Sequence, residues 1–327
     1  MSTTVKNTLA FFLLLSAAIA IAGSGSAAAQ AYPNKPVRLI VPTAPGATSD
    51  ITARLLAQKL SETFKHSIVV DNRTGGGGAI GTETAVRANP DGYTMILVSA
   101  SYAANAALYK LPYDPVNDVT PIALVGDTGL VLVVNPLLPA ASIKELIAHD
   151  KANPGKLNYG TSGVGSTPHL VSELFNQMAD TKLTHVPYKG TAPALNDLLG
   201  GQIQLIFGGI APMISQIKAN RLRGIAVTNA KRSNALPEIP TVSETVAGYE
   251  AASWTAVLGP KGLPKEIVAR WNSEINRMLQ QPDVKERMAA DGMEPAGGPP
   301  ERFREVLKRD VAKWQRVVKV AGIKTGN

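Results

Sequence analysis

Short apolar runs of strand-forming residues alternate with amphipathic stretches along most of this chain, and that alternation constrains its fold more than any other feature. VRLIV (37–41) precedes ITARLLAQKLSETFK (51–65), whose apolar residues recur at helical spacing. SIVVDN (67–72) leads through TGGGGAIG to a second helix, TETAVRA (82–88), and YTMILVS (93–99) follows the turn Asn89-Pro90-Asp91-Gly92. LVLVVNP (130–136) precedes SIKELIAHDKA (142–152), where Ser142 and Glu145 predict a capping box. KLNYG (156–160), KLTHVPY (182–188) and IQLIFGG (203–209) each precede a helical stretch, and LRGIAVT (222–228) is a further strand. Such alternation argues for parallel sheets in an α/β protein.

The strands are too many for one ordinary sheet, so two α/β lobes are expected. LVGDTGLVLVV (124–134) and AASWTAVLG (251–259) read as strands crossing between them. Residues 32–126 with 253–327 then form lobe one, and 127–252 form lobe two. KRSNALPEIPTVSETVAGYE (231–250) reads as a connection, and the chain beyond 259 as wholly helical. The last helix, about 299–321, spaces Phe303, Val306, Leu307, Trp314, Val317 and Val318 as a core-packed stripe beside a charged, solvated face.

LAFFLLLSAAIAIA (9–22), after Lys6, is too short to span a bilayer and fits the apolar part of a secretory signal. Ala-x-Ala patterns follow it, and cleavage after Ala31 would start the mature chain at Tyr32. Export, to the periplasm of a Gram-negative cell, is the expectation. Roughly 300 residues would remain, enough for one large or two medium domains. With no Cys there is no disulfide, thiolate nucleophile or Cys-ligated zinc. The net charge of +8, reduced by one when Lys6 is removed, is scattered, and aromatics are 5% of residues. No basic-aromatic stripe of the nucleic-acid kind is present.

Chemistry-bearing motifs are scarce. Gly76, Gly78 and Gly81 spell G-x-G-x-x-G between a strand and a helix, but no acidic residue follows at the spacing that holds a ribose. G-x-S-x-G is absent. Ser166 and His169 stand three apart at a helix start, where the Ser166 hydroxyl would accept from the His169 N–H as a cap. No H-E-x-x-H or clustered carboxylates suggest a metal. No cofactor, metal or catalytic residue is expected. His66 and His149 lie at the ends of surface helices, where a cation suits the dipole.

What remains is a set of loops. PTAPGATSD (42–50), TGGGGAIGT, SASYAAN (99–105), GTSGVGSTPH (160–169), YKGTAP (188–193) and FGGIAP (207–212, with Gly208) each follow a strand and precede a helix. They are built of Gly, Ala, Ser and Thr with few charges. Loops at the carboxyl ends of strands gather where ligands bind, and helix N-termini hold anions. Each terminus contributes about 0.3–2 kcal/mol. Several in one closing cleft could reach roughly 8 kcal/mol, or micromolar affinity.

These same stretches resemble the substrate-binding proteins of tripartite tricarboxylate transporters, the Bug or TctC-type family. The resemblance runs through YPNKPVRLIVPTAPGATSDITARLLA, VVDNRTGGGGAIGTETAVRANPDGYT, LPYDPVNDVTPIALV, PGKLNYGTSGVGSTPHL, HVPYKGTAPALNDLLGGQI, RLRGIAVTNAKRSNALPEIPTVSE and the terminal RVVKVAGI. It implies a two-lobed, type II periplasmic-binding fold that holds a carboxylated small molecule between its lobes. Carried over by matching motif, ligand contacts fall on Thr43, Ala44, Gly46 and Asp50, with Asp50 equally able to cap its own helix. They fall also on Gly81, Ser101, Ser162, Ser166, His169, Thr191 and Ala192. Thr43 and Ala47 stand where the family commonly has an aromatic residue and paired glycines. Asp71 and Thr74 stand where it commonly has Glu and Pro. The ligand is therefore open: citrate-like, C4-dicarboxylate, aromatic acid, amino acid or nicotinate-like, with dicarboxylates as the first expectation. The implied partners are this acid and the transporter's membrane subunits, with the receptor itself a monomer. A periplasmic ligand sensor, or an enzyme acting on such an acid, are the alternatives.

Overall fold

A computed structural model describes residues 32–75, 78–251 and 253–323. The expected signal segment and its cleavage site lie outside the described residues. From Lys35 onward the chain forms one compact unit containing two sheets.

The first sheet has the order β11-β4-β10-β3-β1-β2. Strand β1 (Val37–Val41) pairs in parallel with β2 (Ile68–Asn72) and β3 (Thr94–Ser99). Strand β10 (Ser253–Pro260) runs antiparallel between β3 and β4 (Val119–Thr128), and β11 (Met293–Pro295) is an antiparallel edge on β4. The second sheet has the order β7-β6-β8-β5-β9. Strands β6 (Asn158–Thr161), β7 (Thr184–Pro187) and β8 (Leu205–Gly209) are parallel there, with β5 (Leu130–Val134) antiparallel between β8 and β9 (Arg223–Val227).

The helices are α1 (Thr48–Phe64), α2 (Ala79–Val86), α3 (Ser101–Leu108), α4 (Ile143–Ala152), α5 (Thr167–Ala179), α6 (Thr191–Leu199) and α7 (Ile210–Lys218), followed by α8 (Lys265–Met278), α9 (Pro282–Ala290) and α10 (Pro300–Ala321). Helix α8 shows why these elements form. Its apolar Ile267, Trp271, Ile275 and Met278 recur at helical spacing and are all buried. In α10 the expected stripe is found, with Phe303, Leu307, Trp314, Val317 and Val318 buried and Val306 partly so.

Two lobes, each an α/β layer around one sheet, share a core. Ile40 and Val98 of the first sheet, Leu132 and Phe207 of the second, and Phe303 and Trp314 of α10 belong to one buried cluster. Asp310 fixes α10 against the first sheet. It is 1% exposed, accepts from Trp254 Nε1 at 2.7 Å and pairs with Lys313 at 3.1 Å. Gln177 Nε2 of α5 donates to the Val317 carbonyl at 3.2 Å, which ties the second lobe to the same helix.

Of the two stretches expected as crossing strands, 124–134 is broken at Gly129 into β4 of the first sheet and β5 of the second, and 251–259 supplies β10 of the first sheet alone. Strand β4 passes into β5 through Gly129, and the chain is back in the first sheet in β10, which begins at Ser253. Thr228, fully buried, staples the two passages: its hydroxyl accepts from Leu130 N at 2.9 Å and donates to the Ala251 carbonyl at 3.1 Å. The Thr128 hydroxyl donates to the Ser253 carbonyl at 2.8 Å.

Several expectations are corrected. The sheets are mixed rather than parallel, because the strand carrying each crossing enters its new sheet against the local direction. The chain beyond 259 is not wholly helical, since β11 adds an edge strand. SASYAAN is mostly helix α3, its alanines favouring that state. FGGIAP holds no loop, because β8 ends at Gly209 and α7 begins at Ile210. The 231–250 connection carries one 3₁₀ turn, Val242–Glu244, closed by a capping box from Thr241.

A cavity walled by helix N-termini

Register brings hydroxyls together first. Because β10 is antiparallel to its neighbours, its start lies beside the ends of β3 and β4: Thr255 pairs with Ser99, and Ser253 with Thr128. Four hydroxyl residues from three strands thus gather at one end of the first sheet. Helix α1 starts beside them with Thr48 and Ser49 in its first turn. From the second lobe come Thr167 at the start of α5, Gly209 at the end of β8, and Ile210, Ala211 and Pro212 of α7. With Gly129, Leu130, Asp291 and Gly292, these residues line a half-open cavity of about 220 Å³.

The first N–H groups of a helix have no intrahelical acceptor and carry the positive end of the dipole. Three such turns, from α1, α5 and α7, line this one cavity. No Lys, Arg or His is among the described lining residues, and Asp291 is the one charged group. Among the described residues no group of three His, Asp or Glu is placed to hold a metal. The cavity can therefore donate hydrogen bonds to an anion. It shows no nucleophile–base pair with which to transform one.

The loop before α1 is organised from below. Asp50, 2% exposed, accepts from Gly46 N at 2.9 Å, Arg54 Nε at 3.0 Å and Asn72 Nδ2 at 3.0 Å. Burial pushes its carboxyl up, but the Arg54, Gly46 and Asn72 donors together hold it below the usual range. Asp50 is not the N-cap, which is Ala47; its carboxylate reaches back from the first turn to the loop. Asn72 Nδ2 also donates to the Thr43 carbonyl at 3.0 Å, while the buried Thr43 hydroxyl has no hydrogen-bond partner. Gly46 adopts φ of 81°, which favours glycine, and the Ala44 carbonyl accepts from Ala47 N at 3.2 Å.

In the second lobe, two imidazoles set the loop before α5. His169 Nδ1 accepts from Gly165 N at 3.0 Å, and His185 Nε2 lies 2.7 Å from Thr161 Oγ1. Burial pushes both imidazoles down to about 4, with the neighbouring His185 adding to the effect on His169. Both rings are neutral at physiological pH, which leaves Nδ1 of His169 free to accept. The expected Ser166 cap is not formed: its hydroxyl turns back to donate to the Gly163 carbonyl at 2.7 Å. The neutral His169 ring supplies an acceptor to this turn instead. The Ser142 cap on α4 does form, accepting from Glu145 N at 3.2 Å.

None of the twelve residues expected at the ligand is among the described residues lining this cavity, though several are chain neighbours of residues that are. Thr48 and Ser49 follow Gly46 and adjoin Asp50. Ser99 lines the wall, with its hydroxyl 2.9 Å from that of Ser101. Thr167 follows Ser166, and Gly209 follows Gly208. Ser162 is half-buried in the β6–α5 loop, and Thr191 and Ala192 are exposed in the first turn of α6. A Cβ on Gly81 would overlap the Arg73 carbonyl and crowd Pro42, and one on Gly208 would meet the Met213 side chain. Sequence reasoning missed Thr255, Ser253 and Thr128, whose signal was hydroxyls at strand ends, and Asp291, which fell in a stretch read as helix.

A two-lobed α/β molecule with a cavity walled by helix N-termini is a solute-binding protein of the periplasmic kind. The chain belongs to the tripartite tricarboxylate transporter family of receptors: the family model described as "Tripartite tricarboxylate transporter family receptor" matches residues 52–323. It is similar to protein BugT of Bordetella pertussis, with 37% identity over 321 residues covering 95% of this chain and 98% of BugT. It resembles the structure of R. palustris Rpa4515 with adipate at 38% identity and a TM-score of 0.76, covering 90% of this chain and 99% of that one. The structure of MatC from Rhodopseudomonas palustris with bound malate is similar at 28% identity and a TM-score of 0.72, covering 88% and 100%.

Proposed function

We propose that this chain is an exported receptor that holds a small carboxylated organic acid in the cavity between its lobes and delivers it, as a monomer, to the membrane subunits of a tripartite tricarboxylate-type transporter. The observation that carries this reading is the convergence of three helix N-termini and seven hydroxyl residues on one small cavity with no cation among its described lining residues. The volume is below the roughly 300–1,000 Å³ of sites for drug-sized ligands, which suits an acid of a few carbons. Relatives with adipate and with malate support a carboxylate ligand. On this reading Asp50, His169 and the loops they hold position the wall's first helical turns. Lobe one comprises 32–126 with 253–327 and lobe two 127–252, with Gly129 at one hinge. The apolar segment 9–22 directs export, with cleavage near Ala31.

A thermal-shift screen of organic acids on the mature protein tests the reading, because a ligand that binds the native state adds RT ln(1 + [L]/Kd) to its stability. At least one carboxylic acid should raise the melting point strongly and be recovered unchanged. Stabilisation by neutral sugars alone, with no response to any acid, would overturn the assignment. Loss of uptake of the same acid on deleting the gene tests delivery.

A further inference from the structure

Asp291 is the one charged group among the described residues lining the cavity. It follows α9 and precedes Gly292, whose φ of 69° turns the chain into β11. That turn abuts the start of α7 in the other lobe: a Cβ on Gly292 would stand 3.4 Å from Ile210 Cβ and 3.5 Å from Ala211 N. The Asp291 N–H donates to the Arg287 and Met288 carbonyls at 3.3 and 3.1 Å. Its carboxylate joins no other described residue by hydrogen bond or ion pair.

We infer that Asp291 is a specificity-determining residue, and that the ligand carries one carboxylate together with a hydroxyl or ammonium donor that Asp291 accepts. The inference rests on the organic-acid reading above and narrows it. An ionised Asp has acceptors and no donor. A carboxylate at the turn that abuts the start of α7 offsets the positive end of that helix. The first turns of α1 and α5, with Thr48, Ser49 and Thr167, are left as the donor set for a ligand carboxylate. A second carboxylate would enter a half-open cavity whose described lining holds a like charge and no cation, where Coulomb repulsion is less screened than in bulk water. A hydroxyl or ammonium would meet an unused acceptor. Repulsion of one ligand class and attraction of another by the same group is an efficient source of discrimination. The dicarboxylate expected from the sequence presumed donors at both ends of the cleft, and Asp291 removes that symmetry.

Calorimetry on the wild-type protein and Asp291→Asn tests this, using succinate and adipate against the ω-hydroxy and ω-amino monoacids of the same chain lengths. In the wild type the donor-ended acid should bind at least roughly tenfold tighter than its diacid partner, and Asp291→Asn should remove most of that preference by improving the diacid. Asp291→Ser gives the same readout should the Asn variant misfold. A diacid that binds the wild type as tightly as its partner, or a preference unchanged in both variants, would overturn the role of Asp291 while leaving the receptor reading intact. Equal affinity of Asp291→Asn and the wild type for every acid that binds would likewise overturn the role of Asp291, while the receptor reading falls only if no organic acid stabilises the protein.

Discussion

The rings of His169 and His185 stack with their centroids 3.8 Å apart and their planes inclined by 13°. Two imidazolium ions could not be held so. Both are pushed down to about 4 from the ordinary 6.5, so the folded protein binds fewer protons than the unfolded chain between those values. The stability they contribute is full above about pH 6.5 and is lost as the pH falls toward 4. The melting point should therefore drop between pH 7 and pH 5, before carboxylates titrate. His185→Gln, which keeps a polar atom for Thr161, should flatten that slope. A wild-type profile flat down to pH 5 would contradict the neutral stacked pair.

Asn234 of the 231–250 connection bonds Glu294 of β11, the edge strand of the first sheet, beside the end of β4. Asn234 donates from its backbone N at 3.2 Å and from Nδ2 at 2.8 Å to the Glu294 carboxylate. A bond made between lobes favours the state in which they are together, and a ligand that needs that state binds less well without it. Asn234→Ala should weaken binding by roughly three- to tenfold, the worth of an exposed hydrogen bond to a charged group. The melting point without ligand should shift little. Unchanged affinity would show that this contact does not distinguish the bound state.

The alternation, the two lobes and the crossings were legible because burial imposes periodicity on every element that faces a core. Strand direction was not, since a strand buried on both faces reads alike either way round. That is why β10 and β5 were expected to be parallel, and why the hydroxyls of Thr255 and Ser253 were not connected with Ser99 and Thr128. The entrance loops were legible as small, uncharged strand-to-helix joints. Which of their residues face inward depends on where each helix begins. Helix α1 starts at Thr48, three residues before the apolar periodicity becomes visible, so Thr48 and Ser49 passed for loop.

Gly129 stands where the chain passes from β4 to β5, and a Cβ there would overlap the side-chain amide oxygen of Asn229. Asn229 Oδ1 is itself buried without a hydrogen-bond partner, so the amide is held by packing. Gly129→Ala should cost about 1–3 kcal/mol as overpacking, a loss of several degrees in melting point for a protein of this size. Because Gly129 also lines the cavity, affinity should fall with it. Gly129→Ala combined with Asn229→Gly should recover most of the stability, since the three nearest atoms a Cβ would meet all belong to the Asn229 side chain. Failure of the second substitution to rescue would mean that the backbone at 129, and not the Asn229 side chain, limits that position.

Thr167 and Thr191 separate two ways of placing the ligand. Both sit at the start of a helix in the second lobe, α5 and α6 respectively, and the family resemblance points to Thr191. The structure puts Thr167 in the cavity wall and leaves Thr191 exposed. A hydroxyl that donates to a carboxylate is worth about 1.5–3 kcal/mol, so Thr167→Ala should weaken binding of the best acid by roughly tenfold or more. Thr191→Ala should leave the affinity within about twofold, since no ligand hydrogen bond of that size would be lost. Neither residue is an N-cap in the structure, the caps being Ser166 and Gly190, so both variants should keep their fold and the comparison reads affinity alone. Equal losses in the two variants would bring α6 to the ligand and require the lobes to close further than they do here. A loss confined to Thr191→Ala would move the site away from the three converging N-termini altogether.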